Sequence, residues 1–83
     1  MLLADLLAVI YEFLEDRITR VQLEDWIVPR LHMLFADPDS SAADLAATVE
    51  LGLSELSEGV IDEEEFRSQL RNAVRRYVTV HEH

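Results

Sequence analysis

One helix-start signal occurs twice in this chain, 43 residues apart, and it constrains the fold more than any other feature. The first copy sets Ile18 before Thr19, followed by Gln22 and Leu23; the second sets Ile61 before Asp62, followed by Glu65 and Phe66. In each, a short polar side chain can accept from the backbone three residues on. A Gln or Glu there can return the bond, and the flanking apolar pair can close as a hydrophobic staple. Neighbouring positions keep the same offset, pairing Leu6 with Val49, Ile10 with Leu53, Phe13 with Leu56 and Ile27 with Leu70. The chain therefore reads as two helical hairpins of similar construction, a pattern that shared capping chemistry yields with or without gene duplication.

Apolar spacing predicts four helices, roughly 2–16, 19–36, 41–58 and 62–78. In the first, Leu2, Leu6, Val9 and Phe13 run beside Leu3, Leu7, Ile10 and Leu14. At ~100° per residue they cover about 160° of the helix surface, wider than one partner helix needs, which makes this the central helix or one that packs two neighbours. The second buries Leu23, Trp26, Ile27, Leu31 and Leu34, but Pro29 lies inside the pattern. Proline removes a backbone hydrogen bond and clashes with the preceding turn, so a kink or break is expected there. The third helix is expected to open on Ser41 as N-cap with Asp44 three residues later, and to bury Leu45, Val49, Leu53 and Leu56. Gly52 on that face costs roughly 1 kcal/mol of helix propensity, which close approach of another helix would explain. Gly59 is placed to stop the helix in the left-handed region. The fourth buries Phe66, Leu70, Ala73, Val74 and Tyr77, with Thr79 to His83 expected to fray. The fold class expected is all-α: a four-helix bundle of two similar hairpins, its second helix kinked or broken near Pro29, in a single helical domain over 1–83.

Charge narrows the function. The 83 residues carry 17 Asp and Glu against seven Arg and no Lys, a formal net charge of -10. Such a surface repels nucleic acid and favours a basic protein partner. The hydrophobic fraction of 49% suffices for a packed interior. With no cysteine, no basic signal-peptide start and no apolar run of ~18 residues, a cytoplasmic protein without a membrane span is expected. Exclusive use of arginine points to a GC-rich bacterial genome. The acidic run Asp62 to Glu65 and the later Arg67, Arg71, Arg75 and Arg76 match the two ends of a helix dipole.

No pattern supports catalysis or a cofactor. Gly59 to Phe66 has the glycine, Ile61 and Glu65 of the second half of an EF-hand calcium loop. The first half would need ligands from Ser54, Leu56 and Glu58, where leucine cannot serve, so calcium binding is not expected. His32 falls on a polar face and His81 and His83 flank Glu82 near the chain end, too few preorganised ligands for zinc. Thr19, Ser40 and Ser41 read as cap or turn residues rather than nucleophiles, and Trp26 reads as core. The carboxylate pairs Glu15-Asp16, Glu24-Asp25 and Asp37-Pro38-Asp39 fall on polar faces or in loops, where nothing perturbs them toward acid–base work. The candidate partner-binding residues are Asp5, Glu12 and Asp16, in register on one face of the first helix, with Glu15 beside them. A merely solvated face of an acidic helix has the same appearance.

The stretch Phe13-Leu14-Glu15-Asp16-Arg17-Ile18-Thr19-Arg20-Val21-Gln22-Leu23 resembles the opening of colicin D-type immunity proteins. The resemblance implies a small acidic four-helix cytoplasmic inhibitor that covers the basic substrate site of a tRNA-cutting toxin, and it carries over no individual contact residue. The alternative is a small helical module that forms a homodimer or docks to a larger protein. The wide apolar arc of the first helix and the off-face Met33 and Leu51 would serve that role.

Overall fold

The computed structural model describes residues 2–81, with side chains through Tyr77. It is all-α, and the chain forms α1 (Leu2–Leu14), α2 (Arg20–Ile27), a 3-10 turn (Val28–Arg30), α3 (Leu31–Ala36), α4 (Ser40–Ser57) and α5 (Glu63–His81). Taking α2 to α3 as one broken helix, this is the four-helix arrangement expected, with the break at Pro29. The helix N–H that would satisfy the Trp26 carbonyl belongs to Arg30, and within the 3-10 turn the Arg30 side chain substitutes for it. Its guanidinium donates to that carbonyl at 2.6 Å and lies 4.6 Å from the Trp26 ring centroid. Trp26 is accordingly half-buried at the edge of the core.

Both predicted caps form. The Thr19 hydroxyl accepts from the Gln22 N–H at 3.2 Å while the Gln22 side chain accepts from the Thr19 N–H at 2.8 Å. The Asp62 carboxylate accepts from the Glu65 N–H at 2.8 Å. The repeat extends further than the caps. At the end of α1 the Arg17 N–H donates to Glu12 and the Asp16 N–H to Phe13; at the end of α4 the Val60 N–H donates to Glu55 and the Gly59 N–H to Leu56. These are two Schellman motifs at the same 43-residue offset, and the residue at the left-handed position is Asp16 (φ 63°) in one and Gly59 (φ 76°) in the other.

Three expectations at helix ends are corrected. α1 stops at Leu14, not Asp16, because Asp16 takes the left-handed conformation that aspartate tolerates better than most residues. α4 opens at Ser40, one residue early, because Asp39 rather than Ser41 is its N-cap: the Asp39 carboxylate accepts from the Ser41 N–H at 2.9 Å. A turn at Asp37 holds it there, the Asp37 carboxylate accepting from the Asp39 N–H at 2.8 Å. α5 is helical through His81, three residues past the expected end at 78, and no proline or glycine follows Phe66 to stop it. Met1, Glu82, His83 and the side chain of His81 lie outside the described residues, and with them the terminal histidine pair.

The buried residues form one cluster, to which α1 gives Leu6, Ile10 and Phe13. As its apolar arc requires, α1 packs against α2, α4 and α5, while α4 also packs against α3 and α5. Gly52 permits the close approach of α4 to α5. A Cβ there would sit 2.6 Å from two carbons of the buried Phe66 ring, which itself packs on Phe13 with centroids 5.6 Å apart. Among the described residues no polar side chain is buried, and no helix is long and apolar enough to cross a membrane.

Tyr77 ties the start of α4 to α5, its hydroxyl donating to the Ser41 carbonyl at 3.1 Å. Partial burial raises its pKa, assisted by the nearby charge of Asp44. The folded chain therefore holds the phenolic proton more tightly than the unfolded chain, whose tyrosine titrates at about 10. This contribution to stability is complete below that pH and is lost as pH rises through the higher folded value. Tyr77→Phe is expected to cost about 1 kcal/mol at neutral pH and to flatten the alkaline decline, as read from denaturant melts across that range.

Candidate partner-binding surface

The four acids singled out at the N-terminal hairpin do not stand together as an open ridge. Asp5 is exposed in the first turn of α1. Glu12 and Glu15 instead share one cation: Arg17 folds back from the loop to reach Glu12 at 2.7 Å and Glu15 at 3.0 Å. The hydrogen bond it donates to Glu12, with the charge of Glu15, raises the pKa of that guanidinium still further above its ordinary value. Asp16 lies past the helix end and pairs at 2.8 Å with Arg67, which arrives from α5. Three of the four thus already have an arginine partner, two of them sharing one cation.

A different acidic surface is largely unpaired. α2 and α4 both pack on α1, and between them opens a groove of about 340 Å³. Ile27, Leu31 and Leu53 supply its apolar lining, with the exposed Val28 at its edge. Carboxylates stand on both walls, Glu24 on α2 and Glu50 and Glu58 along α4, with Ser54 and Ser57 between. Glu24 meets Arg20 at 3.5 Å. Glu50 and Glu58 are exposed and, among the described residues, have no ion-pair partner. In sequence Glu24, Ile27 and Leu31 follow helical spacing, as do Glu50, Leu53 and Ser57. That periodicity was available, but the separation of the two walls depends on the break at Pro29.

A second hollow of about 200 Å³ between α4 and α5 is lined by Asp44, Leu45, Thr48, Ala73, Arg76 and Tyr77. The Thr48 hydroxyl is occupied with the Asp44 carbonyl at 3.1 Å, so it is not poised as a nucleophile. Among the described residues no three His, Cys, Asp or Glu side chains converge as metal ligands. The segment compared with a calcium loop is largely helical: α4 runs to Ser57 and α5 begins at Glu63, so Ser54 and Leu56 lie in a helix. His32 is exposed on α3. Compared with family models, with curated proteins and with solved structures, the chain matches none of them.

Proposed function

We propose that this chain is a non-enzymatic, cytoplasmic binding protein that captures a basic surface of a protein partner through the acids its own arginines leave unpaired. The observation that carries the reading is the contrast between the paired acids at the end of α1 and the unpaired Glu50 and Glu58 beside exposed apolar surface. Like charges held near one another on a chain of net charge -10 repel, and a cationic partner relieves that repulsion on binding. Inhibition of a toxin by covering its phosphate-binding site, the role implied by the likeness to immunity proteins, is one form of this activity, because such sites are positive.

Dimerisation or apolar docking is the second reading. Its support is the exposure of Val28 (58%), Met33 (43%), Phe35 (44%) and Leu51 (61%). The net charge opposes a homodimer, so the basic partner is the better account.

Retention of proteins from an extract of the native host tests the proposal. At low ionic strength the immobilised chain is expected to hold predominantly basic proteins and to release them as salt shortens the Debye length to about 5 Å. A retained set that is neutral or acidic, or that is indifferent to salt, contradicts it. In the immunity form, co-expression should also protect cells from the cognate nuclease.

A further inference from the structure

Resting on that reading, we infer that the groove between α2 and α4 is the docking site for a cationic amphipathic helix of the partner. The apolar anchors of that helix sit on the exposed Val28 and the half-buried Leu31, over a floor of the buried Ile27 and Leu53, and its arginine or lysine side chains face Glu24, Glu50 and Glu58. Charge selects the occupant. The apolar surface is bordered on both walls by carboxylates, and the two on α4 have no cation of their own. A neutral or acidic segment would leave them desolvated without compensation, whereas a segment with basic flanks pairs them.

The walls select a helix. They are themselves helical, and the described residues include no strand whose edge could add an extended peptide. Helix surfaces instead receive a third helix by ridge-into-groove packing. The dimensions agree. Glu50 on α4 and Glu58 at its C-cap are eight residues apart, about 12 Å at 1.5 Å per residue, which is the length of about two turns. Two turns present apolar anchors at i, i+4 and i+7 and basic side chains beyond each end of the row.

A second copy of this chain is a poor occupant. Its net charge is -10, so two copies repel one another as they approach. The volume of about 340 Å³ lies near the lower end of the range for small-molecule sites, roughly 300–1,000 Å³. Such sites have polar groups converging on one point, and here the carboxylates are spread along the length of two helices.

Fluorescence anisotropy with a labelled peptide of about sixteen residues provides the test. The probe carries leucine at i, i+4 and i+7 with arginine on both flanks, and a second peptide has the same composition with the apolar period scrambled. Two variants alter the groove: Glu50→Lys with Glu58→Lys reverses its charge, and Ser54→Trp fills it from an exposed position without changing charge. Asp5→Lys with Glu12→Lys makes the same change in net charge at α1. Circular dichroism confirms that each variant remains helical, and Ser54→Trp keeps the test valid should the double reversal fail to fold.

Both groove variants are expected to weaken the probe at least about tenfold, and the α1 variant by no more than about threefold. The scrambled peptide should bind at least about tenfold more weakly than the probe. A probe weakened only by the α1 variant would overturn the groove assignment while leaving the basic-partner reading intact. Equal binding of probe and scrambled peptide would overturn helix docking and leave charge alone. Self-association in sedimentation that Ser54→Trp abolishes would assign the groove to a second copy and overturn the inference. Failure of both peptides to bind the unaltered chain would overturn the inference and count against the basic-partner reading as well.

Discussion

Gly52→Val is expected to destabilise the fold by about 3 kcal/mol, at the upper end of what overpacking a core costs. Glycine is a poor helix former, and replacing it on an open helix surface would gain up to about 1 kcal/mol. Here the gain is overtaken by a clash, because a Cβ at this position meets two carbons of the Phe66 ring at 2.6 Å. The ring has nowhere to move: Phe66 is fully buried and packs on Phe13. Total stability for a chain of this length is about 4–12 kcal/mol at the usual value per residue, so the loss is a large share of it. Alanine should also destabilise, by less, and Phe66→Leu in the Gly52→Ala background should recover part of the loss, since the two changes act on one contact. Denaturant melts provide the measurement. A valine variant as stable as the unaltered chain would mean that α4 and α5 do not approach closely at this point.

Arg67→Met is expected to cost about 2–3 kcal/mol, the range for losing a hydrogen bond to a charged group that is largely shielded from water. Arg67 is only 15% exposed in its side chain, unlike the paired arginine Arg17 at 64%. From α5 it donates to the Phe13 carbonyl at 3.0 Å, a second bond at the end of α1 beside the one from the Asp16 N–H. It also pairs with Asp16 at 2.8 Å and Glu63 at 3.3 Å, and its guanidinium lies 4.3 Å from the Phe13 ring centroid. Lysine offers a single ammonium in place of a planar fork, so Arg67→Lys should recover only part of the stability. Asp16 is 78% exposed, and Asp16→Asn, which removes the charge but keeps a side chain suited to the left-handed conformation, should cost no more than about 1 kcal/mol. Equal losses for Arg67→Met and Asp16→Asn would show that the surface ion pair, and not the bond to the helix end, carries the contribution.

What the sequence made legible was local. Thr19, Gln22, Asp62 and Glu65 announce their bonds because capping involves residues three apart, and Gly59 and Gly52 mark a turn and a close approach that other residues resist. The end of α1 was obscured because aspartate occupies the left-handed position that glycine usually takes, although Asp16 aligns with Gly59 at the repeat offset. At the start of α4, Ser41 was the expected cap, but the turn at Asp37 holds Asp39, two residues earlier, in that role.

The candidate site was less legible, for the same reason in reverse. Helical spacing places Asp5 and Glu12 on one face, but it cannot show Arg17 folding back or Arg67 crossing from another helix to meet Asp16. Ion pairing between distant segments is a property of the packed chain. The groove depends on the relative placement of α2 and α4, which follows from the break at Pro29 and from both helices resting on α1. Residues that sequence periodicity assigns to the margins of two apolar stripes become the walls of one surface.

The most direct measurement is a two-dimensional amide NMR titration of the chain with the same cationic amphipathic peptide. Amide shifts report where a ligand sits without requiring any substitution, so they separate the two acidic surfaces in one experiment. The account predicts saturable shifts concentrated in residues 24–31 and 50–58, weakening as salt is raised, with little change at 5–16. Shifts centred on 5–16, or absent throughout the chain at peptide concentrations approaching about 1 mM, would contradict it.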